Sequence, residues 1–471
     1  MNMKQIGRTL SIALLASLIA GSAAAATISD LRGGVKDARA RLVMDIDETM
    51  HYEERAQGRT LTLTFDAKTD RTRSVKVRDR RVKNAVLSPL GKKSRLVVTF
   101  RESVPNYKVF FLKKPGRLVI DFPTESKSSS SGSRQKTGEN LGKGVTYRKS
   151  RVDMGAGNVD TYVLTIAPDS AYELQFVPGY GHTIQKGTLS MISRRSGAKA
   201  LVNASYFDSD IWVVGNLKIR GKWLGMEETP RTGLVLEGKG KAAILPRLSF
   251  TGTVTRPDGT EMKITGLNRM RLENDLIFYN NGYDDTTDTN AAGVEVAVRN
   301  GRVIKTGTTG SMPMSWNMTV LSGHGTAADF LRPLAVGDKV EIKTSLGSPL
   351  ADKAPSVGTA GPLLVYDGLV NVTAGLEEIP SDIADGRAPR TAVGIKKDGT
   401  ILVVVADGRS SRSAGMTLSE LARYLIQLGA DRAMNFDGGG SSEMVVNGAV
   451  KNRPSDGTER PVRVALGLFP R

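Results

Sequence analysis

The sequence predicts an α+β protein in two modules, a small all-β sandwich followed by a larger mixed α/β domain. Three observations support that division. Short alternating runs with turn residues between them, and no helical period, fill residues 41–123. Residues 124–138 are rich in Ser, Lys and Gly and almost free of apolar side chains, the composition of a flexible linker. Beyond Leu141, apolar strand-like runs alternate with segments that begin on helix caps and stop at glycine. The boundaries that follow are a leader at 1–26, the sandwich at 27–123, the linker at 124–140 and the larger domain at 141–471.

At the start of the chain, Lys4 and Arg8 precede an apolar run over residues 10–20, and Ala23 to Ala26 offer an A-x-A cleavage site, the three parts of a secretory signal peptide. The run is short for a membrane span, and no later segment approaches one. The mature chain is therefore expected to be secreted, in the periplasm or cell wall, without a transmembrane segment; a retained N-terminal anchor is the alternative. With no cysteine among 471 residues, disulfides and Cys-based metal or nucleophile chemistry are excluded. Stability rests on packed cores, which this length supplies.

The sandwich is read from four alternating runs, Arg41-Leu42-Val43-Met44-Asp45-Ile46, Thr60-Leu61-Thr62-Leu63-Thr64-Phe65, Arg95-Leu96-Val97-Val98-Thr99-Phe100 and Arg117-Leu118-Val119-Ile120-Asp121-Phe122. The formal charge of the whole chain is +18, and this module carries the basic run Arg71, Arg73, Lys76, Arg78, Arg80, Arg81 and Lys83. An exported basic module meets anionic envelope polymers: phosphate-rich glycans, peptidoglycan carboxylates or lipid head groups. Aromatic residues form no stacking ladder there, so nucleic acid is not the expected partner. A solvated basic face with no specific partner is the other reading.

In the larger domain, residues 162–166 and 172–177 read as strands, and residues 188–196 as a helix capped by Thr188 and stopped at Gly197. Leu201-Val202 then leads into Asn203-Ala204-Ser205-Tyr206-Phe207-Asp208. An Asn and an Asp bracketing a strand end suit sugar hydroxyls, and are equally good turn formers. A second cluster, Arg387-Ala388-Pro389-Arg390-Thr391-Ala392-Val393-Gly394, precedes the apolar run 401–405 and Asp407-Gly408-Arg409. An Arg fork recognises phosphate in a planar bidentate fashion; a buried pairing of Arg390 with Asp407 is the structural alternative. Thr417-Leu418-Ser419-Glu420 is a capping box that opens an amphipathic helix ending at Gly429. A short strand, residues 433–436, follows it.

That strand delivers Asn435-Phe436-Asp437-Gly438-Gly439-Gly440-Ser441-Ser442-Glu443, the least expected segment of the chain. Three consecutive glycines forgo side-chain packing and cost entropy on folding, so bare backbone is needed between Asp437 and the two serines. An acid and a set of N–H and O–H donors aimed at one ligand suit an anion or a sugar; a long glycine hairpin is the alternative.

Residues 28–123 resemble the AMIN domain, a β-sandwich that localises bacterial envelope proteins, often through peptidoglycan; Arg41-Leu42-Val43, Tyr107-Lys108-Val109-Phe110 and Pro115-Gly116-Arg117-Leu118-Val119-Ile120-Asp121 carry the resemblance. Residues 144–469 resemble the phosphodiester glycosidase family. The motifs are Asn203 to Asp208, Leu321-Ser322-Gly323-His324-Gly325, Gly361-Pro362-Leu363-Leu364-Val365-Tyr366-Asp367-Gly368, Pro389 to Gly394, Asp407-Gly408-Arg409 and Asn435 to Ser442, in one order. Where the family usually has glycines after its Asn, this chain has Ala204 and Ser205.

The resemblance implies hydrolysis of a sugar 1-phosphodiester at the anomeric carbon, on an anionic, phosphate-containing envelope glycan. Phosphate is a good leaving group, so a carboxylate near the oxocarbenium-like centre matters more than a strong acid. Asp437 is the first candidate for it, with Asp407 and Glu443 as runners-up. Arg390 and Arg409, beside Thr391, are expected to clamp the phosphate with the N–H groups of Gly438, Gly439 and Gly440 and the hydroxyls of Ser441 and Ser442. Asn203, Asp208 and Asn435 are expected to position sugar hydroxyls. Neither a cofactor nor a metal is expected.

Other chemistries fit less well. A Ser-His-Asp triad has only His51, His182 and His324 to draw on, and His324 between two glycines reads as a turn residue. Asp284, Asp285 and Asp288 lack the full calcium-loop pattern. Two rivals stay open: an envelope phosphoglycan-binding protein without turnover, and a phosphodiesterase that attacks phosphorus.

Overall fold

The structure, a computed structural model, describes residues 26–36, 39–48, 50, 52–105, 107–113, 115–123, 137–154, 157–181, 183–207 and 213–471. Residues 1–25 of the leader, most of the linker, His51, His182 and Asp208 lie outside the described residues.

The N-terminal module is the expected sandwich of two antiparallel sheets. One has the strand order Ile28–Lys36, Arg39–Ile46, Gly116–Pro123, Lys108–Lys113; the other runs Tyr52–Gln57, Thr60–Phe65, Lys93–Phe100, Val82–Leu90, Arg73–Val75. Alternation decides which side chains meet: Leu42, Met44, Leu61, Leu63, Leu96, Val98, Leu118 and Ile120 point inward and form one core. Phe100 and Phe122 close it edge to face at 5.1 Å. Lys76, Arg78, Arg80 and Lys83 of the basic run are exposed.

The expected flexible tether is corrected by the way this module is joined to the rest. Its edge strand Tyr52–Gln57 pairs antiparallel with Leu369–Val372 in the register Glu54↔Val372 and Arg55↔Asn371, which merges the two modules into a sheet of 13 strands. The physical reason is an edge: an unpaired strand end exposes a row of N–H and C=O groups, and here another strand of the same chain covers it. Glu54, buried at the junction, accepts from Ser419 Oγ at 2.5 Å and from the Tyr107 hydroxyl. The Arg423 guanidinium lies 3.6 Å from Glu54 and 4.5 Å above the Tyr107 ring. The larger domain also starts earlier than expected. Thr137–Gly142, which overlaps the end of the expected linker, is a strand paired with Val145–Asp153.

The larger domain is far richer in strand than a mixed α/β domain. Half of the described residues are in strands and 9% in helix; the α-helices among them are α1 (Leu189–Ser196), α2 (Thr326–Leu331), α3 (Pro349–Lys353), α4 (Ser381–Ala384) and α5 (Leu418–Gln427), and Gly439–Ser441 forms one 3-10 turn. The α+β reading holds in that coarser form. In the shared sheet, Asn158–Ile166, Ile401–Ala406, Arg390–Ile395, Arg432–Asn435, Leu363–Tyr366 and Leu369–Val372 lie side by side. A five-stranded sheet, Tyr172–Pro178, Val464–Pro470, Ala200–Asn203, Met444–Val446, Ala449–Val450, contributes Phe176, Val202, Met444 and Leu466 to a core shared with Val404, Ala433 and Met434. A second core, built around Trp223, Phe250, Val296 and Leu321, belongs to the intervening segment.

Two helices came out as read. In α1, Thr188 accepts from the Met191 N–H and Gly197 closes the helix at φ 71°. In α5, Thr417 and Glu420 form both halves of the capping box.

Candidate active site

Strand ends from both sheets converge on the glycine run. Asn435 ends Arg432–Asn435, Asp407 follows Ile401–Ala406, Arg390 opens Arg390–Ile395, Asn203 ends Ala200–Asn203, and Glu443 precedes Met444–Val446. Backbone bonds lock the order: Phe436 N–H donates to Thr391 O at 2.8 Å and Gly439 N–H to Pro389 O at 2.9 Å.

Asn203 is the centre of this bracing. Its Nδ2 donates to the main-chain carbonyl of Asp437 at 2.7 Å, while its Oδ1 accepts from Thr391 Oγ1 at 2.7 Å and from the Glu443 N–H at 3.3 Å. Fully buried, it joins three sequence motifs. Asn435 works alike: its Nδ2 donates to the Tyr206 hydroxyl at 3.0 Å, whose own proton goes to Gly361 O. Asn203 and Thr391 are spent on holding the loop, as is the Nδ2 of Asn435, whose Oδ1 is buried without a hydrogen-bond partner.

The three glycines are separately required. A Cβ at Gly438 would stand 2.9 Å from Pro389 O, and one at Gly439, where φ is +60°, 3.2 Å from Arg409 Nη1. At Gly440 it would collide with Arg460 Nη2 at 2.1 Å and Asp456 Oδ2 at 2.2 Å. The loop is thus a strip of bare backbone pressed between two guanidinium groups.

Those groups differ from the expected pair. Arg390, 1% exposed, donates to Met416 O at 3.0 Å, Ile383 O at 2.9 Å and Gly386 O at 3.1 Å; burial lowers it to about 10. It orders the 383–386 loop rather than clamping a ligand, a correction of its expected role. Arg409 is exposed, with a backbone φ of 57°; its guanidinium lies against Gly439 and makes no hydrogen bond or ion pair among the described residues. The second cation is Arg460, which the sequence reading missed. Its Nε donates to Asp456 Oδ2 at 2.7 Å, and its charge reaches Asp437.

The donors of the loop are also partly committed. Gly438 N–H donates to Asp437 Oδ1 at 2.8 Å and Gly439 N–H to Pro389, which removes two of the three expected N–H donors. Ser441 Oγ, Ser442 Oγ and Ser205 Oγ are buried without a hydrogen-bond partner. Buried polar atoms are nearly always paired in a folded chain, so these hydroxyls are available to a polar partner.

The three carboxyls separate by environment. Burial pushes Asp437 up to about 6, against the opposing pull of Ser441, the Gly438 N–H, Arg460 and Arg390; Ser441 Oγ acts through proximity, without completing a hydrogen bond. Asp407 is raised by burial and held back by its donors: Tyr162 hydroxyl at 3.0 Å, Asn452 Nδ2 at 3.1 Å and Arg453 N–H at 3.1 Å. Both its oxygens accept hydrogen bonds from the protein, and through Oδ1 it positions Asn452. Asn452 in turn accepts from Met444 N–H at 2.8 Å and donates to Ser442 O at 2.9 Å. Glu443, 1% exposed, is pushed up to about 8 by burial and by Glu459.

Of the remaining motifs, Gly361 approaches Glu377 so closely that a Cβ would lie 2.1 Å from Oε2, a structural contact. His324 sits in a turn before α2, its N–H on Asp275 O, and Asp284, Asp285 and Asp288 are exposed.

A family model described as phosphodiester glycosidase matches residues 292–469. Over 74 residues the chain is 43% identical to the SPbeta prophage-derived uncharacterized protein YomE of Bacillus subtilis, covering 16% of this chain and 12% of that one. Over 67 residues it is 42% identical to N-acetylglucosamine-1-phosphodiester alpha-N-acetylglucosaminidase of Mus musculus, 14% of this chain and 13% of that one. The chain thus spans only about an eighth of the length of these relatives. Two solved structures share the fold over nearly the whole chain. A hypothetical protein from Synechocystis has a TM-score of 0.63 at 22% identity, covering 95% of this chain and 81% of its own. A candidate exported protein of Burkholderia pseudomallei has 0.58 at 20%, covering 94% and 98%.

Proposed function

Residues 292–469 carry a phosphodiester glycosidase domain, and from that premise we propose that the chain hydrolyses a sugar 1-phosphodiester at the anomeric carbon. The observation that supports it best is the setting of Asp437: a carboxyl at the end of a rigid strand, beside a glycine strip with Arg409 on one side and Arg460 on the other.

The chemistry then distributes as follows. Arg409 and Arg460 hold the phosphate and take up the charge that grows on it as the C1–O bond breaks. The Asp437 carboxylate faces the cationic sugar centre and receives a proton from the water that adds at C1. Gly440 N–H, Ser441 and Ser442 supply donors to phosphate or sugar oxygens. Asn203, Asp407 and Arg390 fix these groups from behind, which preserves the alignment that such a step requires.

The substrate we assign is an N-acetylglucosamine-type phosphodiester of an anionic envelope glycan, in a secreted chain. The leader features at 1–26 and the basic run of the sandwich support this setting. Peptidoglycan binding by the sandwich belongs to the same proposal.

The test is turnover of a methyl phosphodiester of α-N-acetylglucosamine by the wild type and Asp437→Asn. Free sugar from the wild type alone supports the reading. Equal binding by both, with no product from either across envelope phosphoglycans, would establish a binding protein instead.

A further inference from the structure

The N-terminal sandwich lends a side chain to the larger domain, and hydrogen bonds lead from it to the glycine strip. Glu54, 1% exposed, lies on the edge strand Tyr52–Gln57 and has both carboxylate oxygens occupied. Oε1 accepts from the Tyr107 hydroxyl of its own module, and Oε2 accepts from Ser419 Oγ of α5 at 2.5 Å. Ser419 stands in the first turn of that helix, between the two residues of the capping box, Thr417 and Glu420. The cap fixes the shape of the helix start, and a buried carboxylate on its first turn fixes its place.

The chain that enters this helix also touches the phosphate clamp. Met416, directly before the Thr417 cap, forms an isolated bridge with Ala388: Met416 N–H donates to Ala388 O at 3.0 Å and Ala388 N–H to Met416 O at 3.3 Å. Arg387 ties the same bridge to the helix, donating to Gly415 O at 2.8 Å and to the Glu420 carboxylate. Two glycines of the site press on this bridge. A Cβ at Gly408 would stand 2.7 Å from Pro389 N and 2.8 Å from Gly415 Cα, and one at Gly438 would stand 2.9 Å from Pro389 O. Gly439 N–H donates to that same oxygen at 2.9 Å. Gly408 carries Arg409, and Gly439 is the residue its guanidinium lies against, so Ala388-Pro389 is the spacer between them.

We infer that Glu54 is a positioning residue of the site, supplied by the sandwich. Through Ser419 it holds the start of α5, and through Met416 and Ala388 it sets the spacing of Arg409 from the glycine strip. The inference rests on the glycosidase reading above for what that spacing serves, and on hydrogen bonds and close packing for the link itself. The N-terminal module thereby takes part in turnover beyond carrying the chain to a polymer. Mutation can separate the two things the carboxylate does. Its charge faces the Arg423 guanidinium at 3.6 Å, while its Oε2 accepts from Ser419; a Gln at 54 keeps the acceptor and removes the charge.

The experiment compares the full chain as wild type, Ser419→Ala and Glu54→Gln by amide hydrogen exchange with mass spectrometry, thermal melting and turnover of a methyl phosphodiester of α-N-acetylglucosamine. In Ser419→Ala, exchange of the peptide holding Gly438 to Gly440 should quicken about tenfold relative to the strand Asn158–Ile166 of the shared sheet, and kcat/KM should fall about tenfold, the scale of a small misplacement. Glu54→Gln should melt lower, because Arg423 loses its counter-charge, yet keep both quantities within about twofold of the wild type. Unchanged exchange at the strip in Ser419→Ala would overturn the link. Faster exchange there with unchanged kcat/KM would overturn the positioning role, as would activity that follows melting temperature alone, with Glu54→Gln the worse variant. Faster exchange in Ser419→Ala with no turnover by any form, wild type included, would remove the glycosidase reading and leave the link from sandwich to strip standing.

Discussion

Asn203 donates to the main-chain carbonyl of Asp437 at 2.7 Å across a sequence separation of 234 residues, and this bond ties the five-stranded sheet to the strand end that carries Asp437. The other side of the same amide holds Thr391 and Glu443. An Asn203→Ala variant leaves those three groups buried and unpaired, at a cost of about 1–3 kcal/mol in stability. It should melt earlier and lose turnover mainly in kcat. A rise in KM with unchanged melting would instead show an amide that binds sugar.

The two arginines of the first reading separate under mutation. Arg409→Gln should raise KM for phosphodiesters by about tenfold or more, the scale of a lost charge-assisted contact, with stability within about 0.5 kcal/mol. Arg390→Gln should destabilise by about 2–4 kcal/mol, since three carbonyls lose a buried donor. Chemical denaturation beside steady-state kinetics separates the two; the reverse assignment would restore Arg390 as the clamp.

Asp437 makes activity and stability oppose each other. Its folded value of about 6 lies above the ordinary 3.8, so the folded chain binds more protons than the unfolded chain between those values. The stabilising effect of the protonated form is complete below the unfolded value and is lost as pH rises through 6. At pH 7 Asp437→Asn should therefore be more stable than the wild type by about 1–3 kcal/mol, and at pH 3.5 about equal to it, while turnover is lost. Equal stability at both pH values would contradict the buried setting of this acid.

Residues 27–136 should not be removable without harm. Truncation uncovers the edge of Leu369–Val372 and leaves the Arg423 guanidinium without Glu54, and losing one partner of a buried pair costs about 3–5 kcal/mol. The truncated chain should melt well below the full one or aggregate. Unchanged melting would reinstate a tether.

Much of this was written locally in the chain. The capping box at Thr417 and Glu420, the alternation of Arg39–Ile46 and the glycine run each carry their meaning within a few residues. Long-range partners were not legible. Ser419 meets Glu54 across 365 residues, and nothing near Tyr52 announces that its strand has a second neighbour. Burial was equally hidden: Arg390 and Arg409 look alike in sequence, and only tertiary packing commits one to carbonyls and frees the other. Arg460 stands outside every motif that the sequence singles out, and Asp407 reveals its contacts only through Asn452.

The central claim is that water attacks the anomeric carbon with Asp437 as the participating carboxylate. Hydrolysis of a methyl phosphodiester of α-N-acetylglucosamine in oxygen-18 water, with mass spectrometry of both products before anomeric exchange, tests it most directly. The account predicts label in the free sugar, none in the methyl phosphate, and no product with Asp437→Asn. Label in the methyl phosphate would contradict it by placing the attack at phosphorus.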